Sequence, residues 1–240
     1  MAKRTASRAS SFKVLQQRPV KLRRGITPAS TDPERANRPP PPATPAWLDP
    51  RVRGFIAELN EGLIRAMVSR AGHAREATNQ VDVPHRLAAL TPTTRARLAH
   101  VPFVLLDADF AAPMVWTAEH LNRVHTHMED SEWVDGYELH VLARALFSFA
   151  WQFASSFPDA TGIVLGMSGE TTAVFANLSL RDLERVILQR GHWVRPRWEE
   201  KPDRWLRLLR RAQKDSNPSI LGQRALQLLF GDALARAHKS

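Results

Sequence analysis

Residues 162–198 (GIVLGMSGETTAVFANLSLRDLERVILQRGHWVRPRW) leave the chain few ways to fold. Ser168 stands where an N-cap opens a helix over residues 170–177, and Ser179 with Asp182 three positions on has the spacing of a capping box. A capping serine satisfies a backbone N–H that the first helical turn leaves without a partner, so each serine marks a helix start. Two starts this close force a very short turn between short helices, the second ending at Gly191. In the second helix Leu180, Leu183, Val186 and Ile187 follow a helical period and should be buried, which puts Arg181, Arg185 and Gln189 on the outer face. Those side chains suit a DNA major groove. A solvated charged face on an ordinary amphipathic helix, with Asp182 and Glu184 interspersed, is the plainer alternative. The turn has Asn177-Leu178 where many helix-turn-helix corners place glycine.

The other periodic stretches are also helical. Asp49 and Pro50 form an N-cap and first-turn pair, followed by Val52, Phe55, Ile56, Leu59, Leu63, Ile64 and Met67 on one face, with a stop near Gly72. Short helices are expected over residues 84–90 and from Thr91-Pro92 to His100. Residues 101–110 (VPFVLLDADF) are the single candidate strand, although a buried turn-and-helix segment fits equally. Residues 135–157 are apolar on more than one stripe, from Tyr137 to Phe153, as a core or dimer helix would be. Trp205, Leu208, Leu209 and Ala212 define a further amphipathic helix whose other side carries Arg204, Arg207, Arg211 and Lys214. Asn217-Pro218 opens the last helix, with Ile220, Leu221, Ala225, Leu228, Leu229 and Leu234 facing the core. The fold class is therefore all-α, a multi-helix domain with a C-terminal helix-turn-helix-like pair. Its expected parts are an arm over 1–46, an N-terminal helical region over 47–134 and a dimerisation and DNA-binding region over 135–240.

Charge is unevenly distributed over the 240 residues, whose net charge is +10. Residues 1–50 hold ten Lys/Arg against three Asp/Glu, residues 51–180 ten against fourteen, and residues 181–240 fourteen against seven. Two basic ends around an acidic middle point to a polyanionic partner. Residues 1–31 contain no acid and match the composition of organellar transit peptides as well as that of a disordered basic arm; prolines at 39–42, 45 and 50 then make a stiff spacer. The chain has no cysteine, which excludes disulfides, thiolate metal sites and cysteine nucleophiles. No apolar run is long enough for a membrane span, so no membrane partner and a soluble chain are expected.

Catalytic, cofactor and metal sites are not expected. His120, His125 and His127 lack the i, i+4 spacing with an intervening Glu of a helical zinc site, and Asp107 and Asp109 have no third acid beside them. There is no glycine-rich phosphate loop and no nucleophile beside a base, so an enzyme is not expected.

Phe149 to Phe157, Leu165-Gly166-Met167 with Glu170, Leu178-Ser179-Leu180 with Leu183, Val194-Arg195-Pro196-Arg197-Trp198 and the apolar helix through Leu226 to Leu234 resemble the FlhD family, the FlhD subunit of the bacterial flagellar master transcriptional regulator and its relatives. The resemblance covers about residues 142–234. It implies an α-helical, dimeric, cytoplasmic bacterial DNA-binding protein that activates transcription with a second regulator subunit, its DNA-associated helix pair falling at residues 168–190. Two departures stand out: this chain has no cysteine for the inter-subunit disulfide of the flagellar subunit, and some 140 residues precede the match. On this basis Arg181, Arg185 and Gln189 are expected at base edges or phosphates. Arg190, Arg195, Arg197, Arg204, Arg207 and Arg211 are expected on phosphates, arginine's planar donor fork suiting both. The alternative is a helical adaptor whose basic faces meet an acidic protein.

Overall fold

A computed structural model describes residues 49–72, 82–117 and 136–237, with side chains through Phe230. The described residues form an all-α fold. Helix α1 (Pro50–Ala71) opens on the Asp49 side chain, which accepts from the Arg51 backbone N–H. Helices α2 (Val83–Ala88) and α3 (Pro92–Ala99) follow, capped by Asp82 and Thr91, each with proline in the first turn. A two-residue strand, β1 (Leu106–Asp107), leads to a 3-10 turn at Pro113–Trp116. The longest apolar helix is α4 (Gly136–Ser156), followed by a 3-10 turn at Pro158–Ala160 and the single-turn helix α5 (Thr161–Val164).

The expected helix pair is present as α6 (Gly169–Ala176) and α7 (Leu180–Arg190). Ser168 accepts from the Thr171 N–H at 3.1 Å and Ser179 from the Asp182 N–H at 3.2 Å. The glycine-free corner closes on Asn177, whose side chain donates to the Ala173 carbonyl at 2.8 Å, while Trp151 donates to the Leu178 carbonyl at 2.9 Å. After a 3-10 turn at Gly191–Trp193 comes β2 (Arg195–Pro196), then α8 (Pro202–Lys214) and α9 (Pro218–Ala237). Strand β1 pairs antiparallel with β2, Leu106 opposite Pro196 and Asp107 opposite Arg195. The candidate strand at 101–110 thus contributes two residues, and its partner comes from the arginine-bearing segment.

Packing joins both sides of residue 135 into one hydrophobic cluster, from Ile56 through Phe103, Phe110 and Trp116 to Phe147, Phe175, Trp205 and Leu228. Helix α1 packs on α2, α3 and α4; α4 packs on α6 and α7; α8 lies across α2 and α3. Asn60, fully buried, stitches α1 to the chain ahead of β1. Its amide donates to the carbonyls of Ala99 and Phe103, both at 3.0 Å, and its oxygen accepts from the Leu105 N–H at 2.7 Å.

Periodicity misplaces several apolar side chains. Phe55, Tyr137, Val141, Leu180 and Ile220 are exposed. Leu180 occupies the first position of α7, where helical side chains lean toward the N-terminus and so project past the packed surface. Trp47, His120, His125, His127 and the side chain of Leu234 lie outside the described residues. No helix among the described residues is long and apolar enough to cross a membrane.

Candidate nucleic-acid interface

The outward surface of α7 is not the Arg181–Arg185–Gln189 row expected from its period. Arg181 and Glu184 are exposed, and Leu180 and Leu188 stand 61% and 71% exposed beside them. Arg185 is half-buried and pairs with Asp182 at 3.3 Å. The hydroxyl of Ser179 donates to Asp182 at 2.6 Å, and that hydrogen bond, helped by Arg185 and Arg181, holds the Asp182 carboxyl below its ordinary value. Gln189 is half-buried, and its Oε1 is enclosed without a hydrogen-bond partner among the described residues.

Arg190, expected on a phosphate, is enclosed in the fold. It has no exposed surface, its guanidinium lies 4.0 Å from the centre of the Trp193 ring, and loss of water lowers its pKa. A group so enclosed does not reach a phosphate in this conformation.

The arginines of the β2 segment hold the fold together. Arg195 forms an ion pair with Asp109, a residue with φ of 57°, and lies 4.0 Å from Glu199. Asp107, beside it, accepts from the backbone N–H groups of Ala108 and Phe110. The two aspartates thus shape the turn and tie β1 to β2. The Arg197 guanidinium is enclosed: it donates to the Val104 carbonyl at 3.3 Å and lies 5.6 Å from the Phe103 ring centre. Burial lowers it to about 10, opposed by Asp107 and reinforced by Arg204. Gly166 makes room for it. That residue has φ of +76°, and a Cβ there would come within 2.5 Å of Arg197 Nη2, so both the backbone and the space call for glycine.

Among the described residues α8 carries a row of exposed positive side chains. Burial of Trp205, Leu208, Leu209 and Ala212 orients the helix, and the Trp205 indole donates to the Arg197 carbonyl at 2.6 Å. Arg207, Arg210 and Lys214 fall on one exposed stripe at i, i+3 and i+7. Arg204 is half-buried over the Trp198 ring at 5.7 Å, and Arg211 is half-buried with its guanidinium donating to the Arg224 carbonyl at 3.0 Å. Arg97 donates to the Ala212 carbonyl at 3.1 Å, and Arg224 pairs with Asp215 at 2.7 Å. Arginines therefore gather where the helix dipole favours positive charge, and they fix the α8 terminus. Arg210, left out of the basic stripe expected from sequence, shares its exposed face; its spacing from Arg207 and Lys214 was the available signal.

Among the described residues no three His, Asp or Glu side chains converge as a metal site. Comparison with protein families, with curated proteins and with solved structures gives no match to this chain.

Proposed function

We propose that the protein is a DNA-binding regulator in which α8, rather than α7, meets the phosphate backbone. The observation that carries this is the exposed Arg207, Arg210 and Lys214 stripe on a helix locked in place by its buried face. Such a stripe supplies affinity through released counterions and little sequence choice. Of the cations assigned from sequence, Arg181 and Arg207 are exposed, and Arg204 and Arg211 border the stripe. The strongly basic C-terminal segment and the FlhD-like landmarks support the same proposal, with a second regulator subunit as a partner.

Replacing Arg207, Arg210 and Lys214 together with Ala should weaken binding to mixed-sequence duplex DNA and flatten log affinity against log salt by roughly 2 to 3. Changing Arg195 and Arg197 should leave the slope near the parent value in any variant that stays folded. A triple variant with the parent slope would remove α8 from the interface.

The alternative, a helical adaptor, is favoured by one observation: Leu180 and Leu188 are exposed on the same helix. Pull-down from nuclease-treated lysate separates the two. A defined protein retained after nuclease, together with no DNA affinity at low salt, would decide for the adaptor.

A further inference from the structure

Two stretches of the described chain share a pattern of burial, capping and packing. Buried positions Ile56, Leu59, Leu63, Ile64 and Met67 of α1 recur, each 83 positions later, as Leu139, Leu142, Leu146, Phe147 and Ala150 of α4. Each long helix packs on a pair of short helices, α2 with α3 in one half and α6 with α7 in the other. The corners correspond residue by residue at a shift of 88. Helix α2 ends at Ala88 and α6 at Ala176; Thr91 caps α3 by accepting from the Thr94 N–H, and Ser179 caps α7 by accepting from the Asp182 N–H. Beyond each corner lies a short strand. A proline-started element, a 3-10 turn in the first half and helix α8 in the second, then delivers at a shift of 89 a buried tryptophan whose indole donates back to the backbone, Trp116 to the Asp109 carbonyl and Trp205 to the Arg197 carbonyl.

The strand pairing supplies the symmetry. Asp107 faces Arg195, and the same shift of 88 separates them. In an antiparallel pair of repeated strands, a residue faces its own counterpart only where a two-fold axis passes between them. The long helices meet as well, with Gly62 of α1 so close to Leu142 of α4 that an added Cβ would lie 2.7 Å from it.

We infer that this chain is an internal duplication folded as a single-chain pseudo-dimer, its pseudo-two-fold axis passing through the Asp107–Arg195 pair. The interface that two copies of such a unit would share is closed within one molecule, in place of the homodimer expected from sequence. The two halves have diverged at equivalent surface positions: Pro92, Thr93 and Ala96 on α3, with His100 just past its end, answer to Leu180, Arg181, Glu184 and Leu188 on α7, all of them exposed. The described residues therefore present one leucine-bearing corner, on α7, and the basic α8 stripe.

The absence of native cysteine permits a clean test on the full chain. Cα atoms opposite each other in an antiparallel pair lie about 4.5 to 5.5 Å apart, within disulfide range. Asp107→Cys with Arg195→Cys should oxidise to an intramolecular disulfide, found by peptide mapping in a species that runs as one chain without reductant. Arg195→Cys alone should remain a monomeric thiol. Light scattering on the unchanged protein, which depends on no substitution, should return the single-chain mass of 27.0 kDa. A disulfide-linked pair of chains from the double variant, or twice that mass for the unchanged protein, would overturn the inference. Neither measurement uses DNA, so its outcome is independent of the proposed function.

Discussion

The corner made by α2 and α3 and the corner made by α6 and α7 are built alike and finished differently. Both turn over three residues, both restart on a hydroxyl cap, and both sit against a long helix. Around the first, a polar device fills the core: Asn60 bonds three backbone groups between Ala99 and Leu105. In the second, Ala143 stands at the equivalent position and Gly191 approaches it closely, a Cβ there lying 3.4 Å from the Ala143 methyl. Helix α8 lies over the first corner, where Arg97 is spent on its terminal carbonyls; Arg185, the counterpart of Arg97, is spent on Asp182. A repeated backbone thus admits two chemical solutions for the same close approach. The exposed positions of α3 and α7 differ as well, from Pro92 and Thr93 to Leu180 and Arg181.

The largest test of this comparison is at Asn60. Asn60→Ala strands three buried backbone groups, each costing about 1 to 3 kcal/mol, so urea unfolding should show a loss of at least about 3 kcal/mol. Ala143→Gly, which removes one methyl and adds backbone freedom, should cost only about 1 kcal/mol. Equal losses would mean that the halves do not differ in the way their hydrogen bonds indicate.

A smaller effect is expected at the caps. Thr91→Ala and Ser179→Ala should each cost about 1 kcal/mol, and similar values by thermal or urea unfolding would support equivalence of the corners. A loss confined to one of them would break it.

The smallest effect concerns acid. Asp182 is held below its ordinary 3.8 by the Ser179 hydroxyl, whereas its counterpart, Thr94, does not titrate. A lowered carboxylate pKa stabilises the fold fully above 3.8, and this contribution is lost as pH falls through the lower folded-state value. Asp182→Asn should therefore narrow the stability gap to the parent as pH drops below 3.8, and Thr94→Val should shift stability equally across that range. A gap for Asp182→Asn that does not change with pH would show that its charge plays no part.

Much of the helical frame was legible in the sequence because its signals are local. Asp49-Pro50, Thr91-Pro92, Ser168, Ser179 with Asp182, and Asn217-Pro218 mark helix starts through bonds or backbone angles spanning only a few residues. The candidate site was legible only in part. The period of α7 recovered Leu183, Val186 and Ile187 but not the exposure of Leu180 or the enclosure of Arg190, since period says which residues share a face and not where the packed surface stops. The α8 stripe was half seen, with Arg207 and Lys214 recognised and Arg210 missed. The duplication is not legible in the sequence because few residue identities survive between the halves. What recurs is burial, caps and pairing, and these became visible only with the fold.

By itself, then, the sequence determined the all-α class, most helix starts, the lack of thiol chemistry and the concentration of positive charge toward the C-terminus, all properties of residue type and near neighbours. Only the tertiary structure decided which arginines are available. Asp109 captured Arg195 from 86 positions away and the Val104 carbonyl took Arg197 from 93, while Trp193 covered Arg190 from only three. A guanidinium is long, fork-shaped and easily recruited by any acceptor or ring within reach, and that reach is set by how the two halves close on each other around β1 and β2.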